Sequence, residues 1–185
     1  MLIFFDTEFT ELGINPRLIS IGFVSEDGQR EFYAELSSTY QIADCSDFVR
    51  ESVLPHLQGG NTLMSVRELA VKLIPWLKEF KEPVQLATDS LAWDWPWMQV
   101  IYAEFDGYLL ENTLAWDDMR NAPSQLESAA RPSNVSAKPV LLYETSLLPT
   151  FDRAMEHAFE NGLRRHHSLD DAKANRLGWL ATSKG

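Results

Sequence analysis

The first part of the chain contains three short apolar segments separated by polar turns, at residues 2–6, 18–24 and 29–36. These segments are rich in β-branched and aromatic residues, which is typical of β-strands. Glu26, Asp27 and Gly28, between the second and third segments, form a hairpin signal. The pattern therefore predicts three antiparallel strands at the start of the fold.

Helical periodicity replaces the strand pattern after Ser65. Ser65 and Glu68 have the spacing of a capping box, and one apolar stripe follows them, formed by Val66, Leu69, Leu73, Leu77 and Phe80. Pro75 lies within this segment and should kink the helix or end it early. Residues 84–88 predict a further strand, after which Pro96 suits the first turn of another helix.

The C-terminal part of the chain predicts a long loop followed by two helices. Residues 121–138 are rich in Ser, Ala, Pro and Asn without a sustained period, which indicates a loop. Residues 149–160 carry apolar side chains on one side, and the next two residues, Asn and Gly, should stop that helix. The final helix begins at Ser168, which has capping-box spacing to Asp171, and its predicted inward residues are Leu169, Ala172, Leu177 and Leu180.

Composition narrows the class of protein. With 45% hydrophobic content, residues 1–185 can bury a sizeable core as one domain. The 16 basic and 27 acidic residues give a net charge of −11, which argues against a passive nucleic-acid coat or a membrane-surface protein. The charge does not exclude a nuclease, because bound divalent cations add positive charge where a phosphate approaches.

Cysteine use and hydropathy indicate a compartment. Cys45 is the single cysteine, which excludes an intramolecular disulfide and fits a reducing environment. We find neither a signal-peptide pattern nor an apolar stretch long enough to span a bilayer. We therefore expect a cytoplasmic protein without a membrane partner.

Two carboxylates at the end of the first strand are the first candidates for chemistry. Asp6 and Glu8 lie two positions apart, so their side chains point to the same face of a strand. Burying unpaired carboxylates is costly, and the pair therefore favours a divalent cation between them. The alternative is a strand end that leaves Glu8 in water.

A third carboxylate follows the strand at residues 84–88. If a helix begins near Asp94, this residue shares its inner face with Met98 and Ile101 and needs a polar or charged partner. Asp94 is alternatively the N-cap of that helix, and Asp89 is a rival ligand. The nearby tryptophans are interpreted as core or rim packing rather than base-stacking platforms, and they are Trp93, Trp95 and Trp97.

Residues 166–171, HHSLDD, place a histidine five positions before a carboxylate at the start of the final helix. His166 belongs to the preceding loop, and the usual pKa of histidine suits a general base. His167 is the competing base or else a solvated surface residue, and we expect His167→Ala to cost little activity. Arg164 and Arg165 are candidates for steering a substrate backbone, or else form a solvated charged turn.

These motifs together resemble the DEDDh family, the DnaQ-like 3′-to-5′ exonucleases of the ribonuclease H-like superfamily. The shared features are an Asp-x-Glu pair that ends the first strand, an Asp that opens a helix after a mid-chain strand, and a histidine followed five positions later by Asp at a terminal helix. Histidine at position 166, where sister families have tyrosine, selects the His-type branch. The resemblance implies an α/β ribonuclease H-like fold, with a mixed central sheet, three antiparallel N-terminal strands and flanking helices.

The resemblance also implies a site and an activity. The positions that carry over are the metal ligands Asp6, Glu8, Asp94 and Asp171, the general base His166, and the substrate contacts Phe9, Thr10 and Leu12. The implied reaction is two-metal hydrolysis of single-stranded nucleic acid from its 3′ end, with Mg²⁺ or Mn²⁺ as cofactor and a nucleoside monophosphate as product. RNA is favoured over DNA. Small family members are often dimers, which leaves a homodimer open.

One departure from the family and two other functions complete the sequence-based picture. Glu11 stands where the family usually has glycine, so the loop that receives the terminal nucleotide should differ in shape. A catalytically silent interaction module of a polymerase or nuclease complex would lack a ligand or the base, whereas all five positions are filled. A zinc hydrolase using His166 and His167 lacks a third nitrogen or sulfur ligand, and His56 and His157 are interpreted as structural.

Overall fold

The centre of the protein is a six-stranded mixed sheet, seen in a computed structural model that describes residues 1–113, 131–142 and 148–183. The strands are β1 (Leu2–Phe9), β2 (Leu18–Ser25), β3 (Glu31–Leu36), β4 (Leu63–Met64), β5 (Gln85–Thr88) and β6 (Val140–Leu141). They lie in the order β4-β3-β2-β1-β5-β6. Strand β1 therefore occupies the middle of the sheet.

The pairing of β1 determines where its carboxylates emerge. It runs antiparallel to β2 and parallel to β5, and β2 runs antiparallel to β3. The three antiparallel strands predicted from the sequence are confirmed. Strand β1 extends beyond residue 6 to Phe9, so Asp6 and Glu8 both belong to it. Because β1 and β5 are parallel, their carboxyl ends meet at one edge of the sheet.

Five helices are described around this sheet. They are α1 (Asp47–Ser52), α2 (Val66–Lys78), α3 (Leu91–Thr113), α4 (Leu148–Glu160) and α5 (Ser168–Ser183). The side chains of β1 alternate between the two faces, since Ile3 and Phe5 pack in the core beneath α2 and α3 and Phe4 packs against Phe151 of α4 and Ala172 of α5. This is a mixed α/β architecture consistent with the ribonuclease H-like fold. None of the helices in the described ranges is long and apolar enough to cross a membrane.

The expectation that Pro75 ends its helix early is wrong, and so is the predicted place of Pro96 in a first helical turn. The capping box of Ser65 and Glu68 is confirmed at the start of α2, but Pro75 lies inside that helix, which continues to Lys78. Its ring faces solvent, while Ile74 and Leu77 are buried. Packing of these side chains in the core maintains the helix although proline cannot donate a backbone hydrogen bond.

The helix that follows β5 also departs from its predicted start. It begins at Leu91, immediately after β5, because the Ser90 carbonyl already accepts from the backbone N–H groups of residues 93 and 94. Pro96 consequently lies in the second turn rather than the first. Of the predicted loop at residues 121–138, the part before residue 131 lies outside the described residues, and the remainder contains only an isolated bridge from Val135 to Val84.

Helix α5 lies unusually close to the sheet. A Cβ at Gly22 of β2 would collide with the backbone of Leu169, and one at Gly178 of α5 would lie 2.8 Å from the Phe151 ring. The buried face of α5 is therefore built from small and polar residues, namely Ser168, Asp170, Ala172, Ala174, Asn175 and Gly178. The prediction that Leu177 faces inward is wrong, because this bulky side chain is exposed where small residues make the contact.

Candidate active site

Asp6 and Glu8 occupy the same face of β1, as the period of a strand predicts. This face is the one on which Phe4 packs against α4 and α5. The pairing with β2 shifts register between Glu8 and Phe9, so the regular ladder ends where the carboxylates stop. The row of side chains thus changes from apolar to acidic along a single strand and enters a cavity at the edge of the sheet.

Asp94 lies at the bottom of this cavity, in the first turn of α3, and only 1% of its surface is exposed. It is not the N-cap, since three helical residues precede it. Its carboxylate accepts a hydrogen bond of 2.6 Å from the Thr7 hydroxyl and a second, short one from the Thr88 hydroxyl. Two threonines from neighbouring strands therefore fix the orientation of Asp94.

Asp171 reaches the cavity from α5, which the close approach at Gly22 brings onto the sheet. Its predicted capping box with Ser168 is wrong, because the Ser168 hydroxyl lies 3.0 Å from that of Ser20. The Asp171 carboxylate instead accepts from the backbone N–H of His167 at 3.0 Å. This carboxylate therefore anchors the loop that carries the two histidines.

The acidic side chains form two overlapping groups. In each group, one oxygen per side chain lies within 4.8 Å of the others, and the groups are Asp6 with Glu8 and Asp171, and Asp6 with Asp89 and Asp94. Asp6 is shared by both. Asp89, the rival ligand named from the sequence, is thus beside Asp94 rather than in its place.

Burial and mutual repulsion raise the pKa values of these carboxyls. Burial, followed by the charges of the other carboxylates, raises the pKa of Asp6 well above its ordinary value. Burial and the neighbouring Asp171 do the same for the pKa of Glu8. Burial also raises the pKa of Asp94 and of Asp171 to about 7. Within the described residues, no lysine or arginine forms an ion pair with these four side chains.

The donor set fits hard divalent cations. Every candidate ligand is a carboxylate oxygen, which Mg²⁺ and Mn²⁺ prefer, and the two groups provide three ligands each. Neither His166 nor His167 belongs to a group that could hold a metal in the part of the chain that the structure describes. The zinc alternative therefore lacks its nitrogen ligands.

His166 lies at the wall of the cavity, next to the acidic groups. It adopts a left-handed backbone conformation, with φ of 60°, which few residues other than glycine tolerate. The ring packs edge-on against Phe48, with 4.9 Å between ring centroids. Burial, then the charges of Arg165 and His56, lower the pKa of His166 from 6.5, which favours the neutral imidazole.

His167 points away from the cavity and is not a surface residue. It is 1% exposed and stacks on Tyr33 at a centroid distance of 4.5 Å. The backbone N–H of Asp170 donates to its Nδ1 at 3.4 Å, and an Arg164 nitrogen lies 3.0 Å from its Nε2. Burial and the Arg164 charge lower the pKa of His167 to about 4. The interpretation as a solvated loop residue is wrong.

The two arginines are engaged within the protein. Arg164 donates to the Asp170 carboxylate from its backbone N–H at 3.1 Å and from Nε at 2.7 Å. Arg165 forms a short ion pair with Glu156 and lies over the Phe159 ring. These contacts give both residues structural roles in the loop before α5.

The predicted substrate contacts divide into two kinds. Phe9 and Leu12 line the cavity, which has a volume of about 600 Å³. Thr10 is buried elsewhere, with its hydroxyl accepting from the Arg17 backbone N–H at 3.0 Å. Glu11, at the position where the family usually has glycine, also lines the cavity and adds a negative charge to its wall.

Sequence reasoning missed three side chains of the cavity wall. Trp93, interpreted as packing, stacks on Phe9 with 5.5 Å between centroids and is 36% exposed at the cavity. Phe48 lines the cavity beside His166, and Asn175 lines it from α5. Of these, Asn175 had a usable signal, because it lies one helical turn after Asp171 and so on the same face.

Comparison with known proteins places part of the chain beside ribonucleases. No protein-family model matches it. Two curated proteins from two strains of Mycobacterium tuberculosis, each named a 3′-5′ exoribonuclease, are 49% identical to it over 57 residues. The matched segment is 31% of this chain and 33% of each relative. The chain is thus similar to one third of the length of these ribonucleases.

Proposed function

We propose that this protein is a metal-dependent 3′-5′ exonuclease that hydrolyses single-stranded RNA. The observation that carries the proposal is the convergence of Asp6, Glu8, Asp94, Asp171 and His166 around one cavity. The exoribonuclease names of the two partial relatives support the same reaction and favour RNA over DNA.

The four carboxylates are proposed to hold two divalent cations, Mg²⁺ or Mn²⁺. Asp6 would be shared between the two sites because it belongs to both acidic groups. Bound cations would activate the attacking water and offset the charge that develops on the leaving 3′ oxygen. Thr7 and Thr88 contribute by holding Asp94 in one orientation, which limits the reorganisation needed when a cation binds.

His166 is proposed as the general base. A neutral imidazole is the form that accepts a proton, and burial already lowers the pKa of this side chain. The hydrogen bond from the loop backbone to Asp171 fixes the loop that carries His166. The proton acceptor and one cation ligand are consequently positioned by the same contact.

The apolar wall of the cavity is proposed to receive the 3′-terminal nucleoside. Leu12, Phe48 and Trp93 are all exposed, at 75%, 56% and 36%, and all line the cavity. Aromatic and aliphatic side chains stack on nucleobases without reading their identity, which suits an exonuclease that removes every base. The released product would be a nucleoside monophosphate.

The interaction-module alternative has no support, since it expects a missing ligand or base and every expected position is filled. A homodimer, a single domain and a cytoplasmic location stay predictions of the sequence.

The test is degradation of single-stranded RNA and DNA labelled at the 5′ end. With Mn²⁺ or Mg²⁺ we expect a ladder that shortens from the 3′ end, faster for RNA. A chelator should stop the reaction, and a 3′-phosphate on the substrate should slow it. Asp6→Asn should abolish turnover, because it removes the ligand that both acidic groups share. A metal-independent activity, or endonucleolytic fragments that ignore the 3′ block, would refute the proposal.

A further inference from the structure

Asp89 is a fifth carboxylate of the cavity, outside the four positions expected to bind metal. It follows the last residue of β5 and lines the cavity. One of its oxygens lies within 4.8 Å of oxygens of both Asp6 and Asp94. Its charge also raises the pKa of Asp6, although burial and the other carboxylates contribute more.

The acidic group of Asp6, Asp89 and Asp94 has three candidate ligands only because it includes Asp89. Without Asp89 it would contain only Asp6, which the other group shares, and Asp94. Both oxygens of Asp94 already accept from threonine hydroxyls, so part of their capacity as acceptors is used. Asp89 supplies the third oxygen ligand and raises the second group to the same number as the first.

Asn175 of α5 holds Asp89 in place. Its side chain is 1% exposed, and its Nδ2 donates to Oδ1 of Asp89 at 3.0 Å. Its Oδ1 is buried and has no hydrogen-bond partner within the described residues. The opposite amide orientation would direct Oδ1 at a carboxylate, so only the present one is attractive. A buried carbonyl oxygen without a donor costs about 1–3 kcal/mol, so the contact of Asn175 with Asp89 is maintained against that cost.

We propose that Asp89 is a ligand of the second divalent cation, and that Asn175 positions Asp89 through the hydrogen bond from its Nδ2. This inference rests on the proposed function. Asn175 would act on the cation only through Asp89, as a positioning residue. Partners of this kind, behind a metal ligand, set its orientation and basicity.

Calorimetric titration with Mn²⁺ tests the inference on the full chain. We compare the wild type with Asp89→Asn, Asn175→Ala and the control Asp152→Asn, which removes one negative charge from the exposed face of α4. We expect the wild type and the control to bind two ions. Asp89→Asn should weaken one site at least about tenfold and leave the other unchanged, and Asn175→Ala should weaken the same site by about 10- to 100-fold.

A functional readout separates positioning from general damage. The Mn²⁺ concentration that gives half-maximal hydrolysis should rise for Asp89→Asn and Asn175→Ala, and saturating Mn²⁺ should restore part of the rate. Because Asp89→Asn is isosteric and removes a like charge, its melting temperature without metal should not fall.

The outcomes are distinguishable. Two ions bound with wild-type affinity by both variants would overturn the inference and leave the proposed exonuclease intact. Weakening of both sites equally would also overturn it, because it would show a loss of overall charge rather than of a ligand. A wild type that binds no Mn²⁺ would instead defeat the proposed function, and the inference with it.

Discussion

His166 is held at the cavity by a backbone conformation that costs free energy for any residue with a Cβ, and such strain concentrates at functional sites. His166→Ala should keep the loop and the metal ligands, because the contact to Asp171 is made by the backbone of His167. We expect the rate of hydrolysis to fall about 10²- to 10⁴-fold with Mn²⁺ affinity unchanged. Single-turnover kinetics and Mn²⁺ titration would measure the two effects.

The pH dependence should identify His166 independently. In the presence of saturating metal, the wild-type rate should rise with pH and level off as the imidazole becomes neutral, with an inflection below 6.5 because burial lowers its pKa. The inflection should vanish in His166→Ala and persist in the control His157→Ala, which replaces an exposed residue of α4. A variant at position 166 that retains full rate would show that another group accepts the proton.

At the level of single residues, local spacing predicted which side chains share a face of a strand. It did not predict which residues distant in sequence lie side by side in the fold. The same-face placement of Asp6 and Glu8 follows from the period of a strand, and the structure confirms it. The placement of Asp89 beside Asp6 depends on the parallel pairing of β1 with β5, which no local spacing encodes. Asp94 was expected to open its helix, but backbone hydrogen bonds at Ser90 start that helix earlier.

At the level of elements, the start of α5 is built on a buried histidine. His167 precedes the helix, accepts from the Asp170 N–H and stacks on Tyr33. His167→Ala should therefore lower the free energy of unfolding by about 2–4 kcal/mol, through lost packing and a lost cap. Chemical denaturation of metal-free protein would measure this effect. The sequence-based expectation that His167→Ala costs little activity concerns the rate of hydrolysis and stays a separate prediction.

The matched control for that experiment is His157→Ala, which removes an exposed histidine from α4 and should change stability by about 0.5 kcal/mol or less. Equal stability of the two variants would show that the contacts of His167 are unimportant. His167→Asn, which keeps a side-chain acceptor before the helix, should recover part of the loss.

The buried face of a helix was predicted well where bulky apolar side chains contact the core. It was predicted poorly where small residues make that contact. Helix α2 follows the first rule, since Leu69, Leu73 and Leu77 are all buried. Helix α5 follows the second, because Gly22 lets its backbone approach β2 and leaves no room for large side chains. Helical periodicity therefore predicted Leu177 to be buried, but its exposure follows from the close packing of α5 at Gly22, which is distant in sequence.

At the level of the whole molecule, the free energy of folding should depend on pH and metal together. A carboxyl whose pKa is raised by folding binds its proton more tightly in the native state, so it stabilises the protein at low pH. That stability is lost as pH rises from the unfolded value, near 3.8, through the folded value of about 7 for Asp94 and Asp171. Metal binding to the ionised carboxylates should oppose this loss.

The pH window of the experiment follows from a competing group. Folding lowers the pKa of His167 from 6.5 to about 4, so this residue makes stability rise with pH over that range and has no effect above it. Between pH 6.5 and 8 the carboxylates act without that opposition, and we expect metal-free protein to lose about 1–2 kcal/mol, or a few degrees in melting temperature. Mn²⁺ should flatten this dependence of stability on pH.

Asp6→Asn should raise the melting temperature of metal-free protein at pH 8, since it removes one of several buried like charges, and should weaken the response to Mn²⁺. Scanning calorimetry over this range measures all three effects. If the stability of metal-free protein rose with pH, the carboxyls of the cavity would not have the raised pKa values on which this prediction rests.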